Sequence, residues 1–212
     1  IYYQHICYGY CVSDGSLFAL KSELSYLWTV NIGMALENIR KWQWINRMNE
    51  KINRMWKYDM LTQVLNRSGF FYCAETILQK IKEEKSNAFI IFLDIDGLKS
   101  VNDNLGHEIG DAFIAKIAGI LKEVVPKDCL IMRYGGDEFV VFGSCKQAGR
   151  MQRIAEDIKA AIKTADQKEN RSYHLAASLG CSLHKSYEMD NLNSLIELAD
   201  KKMYEEKKNK RR

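Results

Sequence analysis

At 212 residues, 47% of them hydrophobic and 27% charged, the chain has the make-up of a globular protein that can bury a core. A single proline and 13 glycines exclude collagen-like and proline-rich architectures, and so high a hydrophobic share at a net charge of +4 excludes intrinsic disorder. No apolar run approaches the ~18 residues that cross a bilayer. The excess of 31 Lys plus Arg over 27 Asp plus Glu is too small to argue for duplex nucleic acid. Neither a nucleic-acid partner nor membrane contact by this chain is expected.

Six cysteines (Cys7, Cys11, Cys73, Cys129, Cys145 and Cys181) stand without a CxxC pair or a histidine at zinc spacing, and read as reduced thiols in a cytoplasmic protein. The chain opens on Ile1, shows no charged stretch before an apolar one, and reads as a piece of a longer polypeptide.

In chain order, Tyr2 to Val12 reads as a strand running into the turn Ser13, Asp14, Gly15, Ser16. A long helix is predicted from about Leu17 to Met60, with apolar residues three and four apart and a late seam of Ile45, Met48, Ile52 and Met55. Two readings stay open: a helix packed on its own domain, or a dimeric connector. Length favours the connector, because helices beyond ~25 residues are uncommon inside one small domain. Beyond it, helices are predicted from about Ser68 to Lys85, Asp111 to Val125, Gln152 to Thr164 and Leu192 to Lys208. Strands are predicted at Ala88 to Asp94, Leu130 to Tyr134, Phe139 to Gly143 and Ser172 to Leu183. Strands interleaved with helices of this length predict an α/β or α+β sheet with helical cover.

Chemistry gathers at two places. Asp94 and Asp96 end a strand that otherwise reads as fully buried, and residues two apart share a face. Like charges at the edge of a dry sheet are costly unless a cation neutralises them, and oxygen-only ligands suit a hard ion such as Mg2+. The alternative is a solvated strand end with an Asx turn. The second place is Arg133-Tyr134-Gly135-Gly136-Asp137-Glu138-Phe139, between two strands. Adjacent glycines permit positive φ and close approach of a ligand, while Asp137 and Glu138 add carboxylates at the hairpin tip. Two neighbouring strands delivering three or four carboxylates to one edge describe a two-metal site for phosphoryl or nucleotidyl transfer. The cations gathered at the C-terminus, Lys201, Lys202, Lys207, Lys208, Lys210, Arg211 and Arg212, read by themselves as a solvated helix end.

The string Arg133 to Phe139 resembles the signature of the GGDEF family, the diguanylate cyclases that join two GTP molecules into cyclic di-GMP. Four further motifs stand in the family's order. These are Asp59-x-Leu61-Thr62-x-x-Leu65-Asn66-Arg67; Asp94 to Asp103 followed by Gly106-His107-x-x-Gly110-Asp111; Ser178-Leu179-Gly180; and Ala199-Asp200-x-x-Met203-Tyr204-x-x-Lys207.

The resemblance implies an α+β fold with a central, mostly antiparallel sheet flanked by helices, related to the palm of nucleotidyl cyclases and polymerases. It implies Mg2+, with Mn2+ as the alternative ion, held by Asp94, the Ile95 carbonyl, Asp137 and Glu138. Glu138 would also activate the attacking 3′-hydroxyl. Asn102 and Asp111 would read guanine, Gly135 and Gly136 would admit the nucleotide, and Lys99, Lys207 and Arg211 would meet the triphosphate. Catalysis would need a homodimer, with one GTP bound per protomer. The rival reading is a catalytically silent module binding GTP or cyclic di-GMP.

One departure stands out. Where many relatives carry an inhibitory Arg-x-x-Asp product site, this chain has Pro126, Lys127, Asp128 and Cys129, so that site is expected to be absent. The segment Tyr8-Gly9-Tyr10 with Ile32-Gly33-x-Ala35-Leu36-Glu37-Asn38 resembles, more weakly, the end of a GAF-type sensor domain. The implied organisation is a GAF-like remnant over 1–40, a connector helix over 41–57 and the catalytic domain over 58–212.

Overall fold

The computed structural model describes residues 2–3, 6–7, 22–147, 149–168, 173–185 and 192–210. Two units are distinguished, Ile1–Arg54 and Met55–Arg212. In the first, β1 (Tyr2–Tyr3) pairs antiparallel with β2 (Ile6–Cys7), so the expected single strand is a small ladder instead; residues 8–12 lie outside the described ones. The long helix α1 spans Ser22–Lys57.

The second unit contains α2 (Arg67–Glu83), β3 (Asn87–Ile95), α3 (Leu98–Leu105), α4 (His107–Val124), β4 (Leu130–Arg133), β5 (Glu138–Cys145), α5 (Arg150–Lys168), β6 (Ala177–His184) and α6 (Leu192–Lys210). Its four strands lie in the order β4-β5-β3-β6 and every pairing is antiparallel, the α+β arrangement expected. Helix α3 was not anticipated. Its sequence, LKSVNDNL, is too polar and short to announce a helix, and Leu98 and Val101 hold it by packing into the core. The last strand starts at Ala177 rather than near Ser172.

The period of two along β3 divides the core. Phe89, Ile91, Leu93 and Ile95 face one way, into a cluster built with Phe113 and Ile117 of α4 and Ile154 and Ile158 of α5. Ala88, Ile90 and Phe92 face the other, against Phe70 and Ala74 of α2 and Ile196, Ala199 and Met203 of α6. Both faces are covered, which is why β3 reads as a continuous apolar run rather than an alternating one.

Helix α6 approaches β6 unusually closely. On its face of β6 stand Ser178, Gly180 and Ser182, with His184 at the far end, and a β-carbon on Gly180 would lie 2.1 Å from the Ala199 carbonyl oxygen and 2.2 Å from the Met203 nitrogen. The buried Ser182 hydroxyl donates to the Leu195 carbonyl at 3.2 Å. The described cysteines Cys73, Cys129, Cys145 and Cys181 are free thiols, and burial pushes the Cys129 thiol up to about 11.

The entrance to this unit is tied down by polar side chains. Asn66 caps α2, its Oδ1 accepting from the Gly69 amide at 2.9 Å while its Nδ2 donates to the Trp56 carbonyl at 2.9 Å. Asp59 Oδ1 accepts from the Thr62 amide (2.8 Å) and hydroxyl (2.6 Å), and both its oxygens accept from Arg133 Nη1 at 3.1 and 3.2 Å. Leu65 joins the edge of β4, its amide donating to Ile131 and its carbonyl accepting from Arg133. Burial works against ionisation of Asp59, but the Thr62 donors and the Arg133 guanidinium outweigh it and hold the carboxyl below its ordinary value.

Two outcomes are expected. Gly180→Val should lower stability by about 1–3 kcal/mol, a fall in the thermal midpoint on the order of 5 °C, because the contacted atoms are backbone and α6 must lift; an unchanged midpoint would refute the close-packing account. The lowered Asp59 value means that its stabilisation is complete above the ordinary aspartate range and drains away as pH falls through the lowered value. Chemical denaturation of Asp59→Asn at neutral and acid pH should therefore show a smaller acid loss than the parent, and equal losses would rule Asp59 out.

Candidate functional site

The antiparallel register places Asp94 of β3 directly opposite Glu138 of β5. By parity, Asp94 falls in line with Ala88, Ile90 and Phe92, and Glu138 with Val140 and Phe142, so both carboxylates project to the α6 side of the sheet. There they line a cavity of about 350 Å³ with Asp200, Tyr204 and Lys207 of α6. Burial raises the Asp94 pKa, opposed by Lys207 and reinforced by Asp137 and Asp96. Burial likewise raises that of Glu138, with the charges of Asp137, Asp94 and Asp200 adding to it.

Two lysines of α6 answer these carboxylates. The Lys207 ammonium pairs with Asp94 Oδ1. One turn on, Lys210 Nζ donates to Asp96 Oδ2 at 3.1 Å, to the Ala177 carbonyl at 2.8 Å and to Ser178 Oγ at 3.1 Å, while Ser178 Oγ donates to Asp96 Oδ1 at 2.8 Å. Asp200, Met203, Lys207 and Lys210 recur at helical spacing along one side of α6. The close approach permitted by Gly180 brings that side to the strand ends.

The signature turn is held from below. Arg133 Nε donates to the Gly135 and Gly136 carbonyls, each at 3.2 Å, and its Nη2 donates to Gly136 at 2.8 Å. The same guanidinium grips Asp59, so the entrance and the signature share one cation. Gly135 and Gly136 do not take the positive φ expected of them; among the described glycines that belongs to Gly97, Gly106 and Gly149. Gly135 is needed for space instead: a β-carbon there would lie 2.6 Å from Glu138 Oε2. Asp137 sits in the turn with its carbonyl accepting from the Ile95 amide at 3.0 Å. Its side chain does not line the cavity, although its charge is felt by both carboxylates that do.

Among the described residues, no three acidic, histidine or cysteine side chains already converge on one point. The donor set nevertheless fits a hard divalent cation. Asp94, buried, and Glu138, half-buried, are oxygen donors that repel one another, and Mg2+ is ordinarily bound by one or two carboxylates with substrate phosphates completing the shell.

Asn102 lies near the end of α3 and Asp111 in the first turns of α4, on either side of the non-helical Gly106. Lys99 is exposed on α3 and does not line the carboxylate cavity. Arg211 lies outside the described residues. The sequence reading gave Asp200 and Lys210 no role. Asp200 was detectable as the residue two helical turns before Lys207; Lys210 becomes meaningful only once α6 is docked.

Three comparisons bear on this arrangement. The chain is 29% identical over 199 residues to "Diguanylate cyclase A" of Treponema denticola, covering 92% of this chain and 53% of that protein. It is 32% identical over 168 residues to "Diguanylate cyclase VdcA" of Vibrio cholerae, covering 77% of this chain and 48% of that one. It thus spans about half the length of these relatives. Among solved structures, the coiled coil and GGDEF domain of DgcB from Caulobacter crescentus, in complex with c-di-GMP, superposes with a TM-score of 0.74 at 23% identity, covering 84% of this chain and 94% of that one; at that identity it supports the fold. The GGDEF-only form of PA1120 from Pseudomonas aeruginosa superposes with a TM-score of 0.61 at 26% identity, over 72% and 89% of the two chains. Finally, the sequence profile of the family described as "Diguanylate cyclase, GGDEF domain" matches residues 56–212, well over half of the chain, and the protein belongs to that family.

Proposed function

We propose that the protein is a diguanylate cyclase, condensing two GTP into one cyclic di-GMP with release of two pyrophosphates. The observation that carries this reading is the pairing of Asp94 with Glu138 across β3 and β5, beside Lys207, in a member of the GGDEF family. Asp94, Asp137 and Glu138, with the Ile95 carbonyl, would hold Mg2+ or Mn2+. The ion would draw negative charge from the triphosphate and polarise the α-phosphate.

The chain's own groups do the rest. Glu138, its proton affinity raised by burial and its acidic neighbours, takes the proton of the 3′-hydroxyl. The oxygen of one GTP attacks the α-phosphorus of the other, the bond to the β-phosphate breaks, and pyrophosphate leaves; the reciprocal attack closes the ring. Lys207 leaves Asp94 for the phosphates and, with Lys99 and Arg211, offsets charge moving onto the leaving group. Asn102 and Asp111 recognise guanine, an amide donor and a carboxylate acceptor meeting its O6 and its N–H groups.

One GTP per protomer makes a homodimer part of the mechanism. The exposed apolar side chains of α1, among them Ile52 and Met55 at 60% exposure each, support a connector that brings two catalytic domains together and raises their effective concentration. Residues 1–40 are read as the remnant of a GAF-like sensor, 41–57 as the connector and 58–212 as the catalytic domain. No described helix is long and apolar enough to cross a membrane; a cytoplasmic location is part of the proposal because the substrate is GTP. Product inhibition through the usual Arg-x-x-Asp position is not part of the proposal. Pro126 and Cys129 occupy its two ends, Cys129 is buried, and Asp128 is held by Arg150 Nη2 at 2.6 and 2.7 Å.

Incubation with GTP and Mg2+, products being separated by chromatography, should yield cyclic di-GMP. Glu138→Gln, equal in shape but unable to accept the proton, should reduce turnover by about 10²–10⁴-fold while GTP still binds. A wild-type protein that binds GTP and makes no dinucleotide would instead be a silent binding module; a mixed adenine and guanine product would mark a different cyclase. Added cyclic di-GMP should leave initial rates unchanged, and tight product binding in calorimetry, abolished by changes at Lys127 and Asp128, would count against that expectation.

A further inference from the structure

Gly110 is the fourth residue of α4, buried, and free of any positive φ. Neither a turn nor strain explains a glycine there, and glycine is among the least favourable residues inside a helix. What surrounds it does explain it. A β-carbon on Gly110 would lie 1.8 Å from Asn102 Oδ1, 2.9 Å from Asn102 Cγ and 3.4 Å from Asn102 Nδ2. The Asn102 amide, its oxygen foremost, therefore occupies the space that a side chain at 110 would fill.

The backbone brings the two together. The Gly106 amide donates to the Asn102 carbonyl at 3.0 Å, ending α3, and the Gly110 amide donates to the Gly106 carbonyl at 3.3 Å, opening α4. Gly106, at φ 87, turns the chain between them, so the last turn of α3 rests on the first turn of α4. Asn102 is only partly buried, Asp111 is exposed, and Asp111 follows Gly110 directly in the chain.

We infer that Gly110 is a specificity-determining positioning residue: its missing side chain holds the Asn102 amide beside Asp111, in the orientation that distinguishes guanine from adenine. The inference rests on the assignment of Asn102 and Asp111 to the base. Nothing touches the nucleotide through Gly110 itself; it acts by leaving Asn102 one orientation. The atom a β-carbon would strike belongs to the end of a side chain that can swing into solvent, so replacement costs the fold little and base recognition much. A site built to hydrogen-bond a polar edge loses discrimination steeply when one of its groups is displaced.

The test measures binding of the α,β-methylene analogues of GTP and ATP, whose bridge between the α- and β-phosphorus atoms cannot be cleaved, by calorimetry. Four proteins are compared: wild type, Gly110→Ala, Asn102→Ala and the double variant. Wild type should prefer the guanosine analogue. Gly110→Ala should unfold at or above the wild-type temperature, since alanine favours the helix, while its guanosine preference falls about 10- to 100-fold. On the Asn102→Ala background the Gly110→Ala change should have no further effect.

Wild-type discrimination retained in Gly110→Ala overturns the inference and leaves the guanine assignment standing. So does an equal loss on both backgrounds, or an alanine variant that cannot fold. A wild-type protein that does not distinguish the two analogues overturns the guanine assignment itself, and the inference with it.

Discussion

The register between β3 and β5 is the constraint on which the site depends. Side chains alternate along a strand, so slipping β5 by one residue against β3 would turn Glu138 to the α4 and α5 side and leave Asp94 facing α6 alone. Hydrophobic burial fixes that register on both sides at once. Phe139 and Val141 must meet one helical layer while Val140 and Phe142 meet the other, and neither set can be exchanged for a carboxylate without burying a charge in an apolar cluster. The same apolar pattern that closes the core thus sets the spacing of the acidic pair.

Helix α6 completes the site because β6 offers it a face of small residues. With Ser178, Gly180 and Ser182 beneath it, the helix lies close enough for its lysines to reach two strand ends. Arg133 does comparable work on the opposite side, pairing with Asp59 while its remaining donors fix the carbonyls of the signature turn. Carboxylates, counter-cations and turn geometry are therefore held by three separate pieces of packing: the apolar register of β3 and β5, the small residues of β6 beneath α6, and the pairing of Arg133 with Asp59.

Much of this could be read from the amino-acid order. The strand cores and the helices α2, α4, α5 and α6 follow from apolar periodicity, and the acidic groups Asp94 and Glu138 stand out against it, whereas Lys207 is singled out only by the family resemblance. What could not be read is instructive. Helix α3 carries Asn and Asp where helix formers would be expected, and it exists because Leu98 and Val101 are buried. The paired glycines of the signature suggested backbone freedom, whereas at Gly135 the need is for room beside Glu138. Lys210 and Asp200 gained meaning from how α6 docks, a tertiary fact that no local pattern encodes.

The strand order also has a consequence for how the protein is made. β3, the most apolar strand, lies between β5 and β6, both of which follow it in the chain. During synthesis its sticky edges emerge well before either neighbour exists to pair with them, and only α2, already formed, can shield one of its faces. Long-range antiparallel pairing of this kind is slow to form and leaves apolar edges open to other chains. The central strand that carries Asp94 is thus the segment most in need of protection on the ribosome, and the last third of the polypeptide is what releases it from that need.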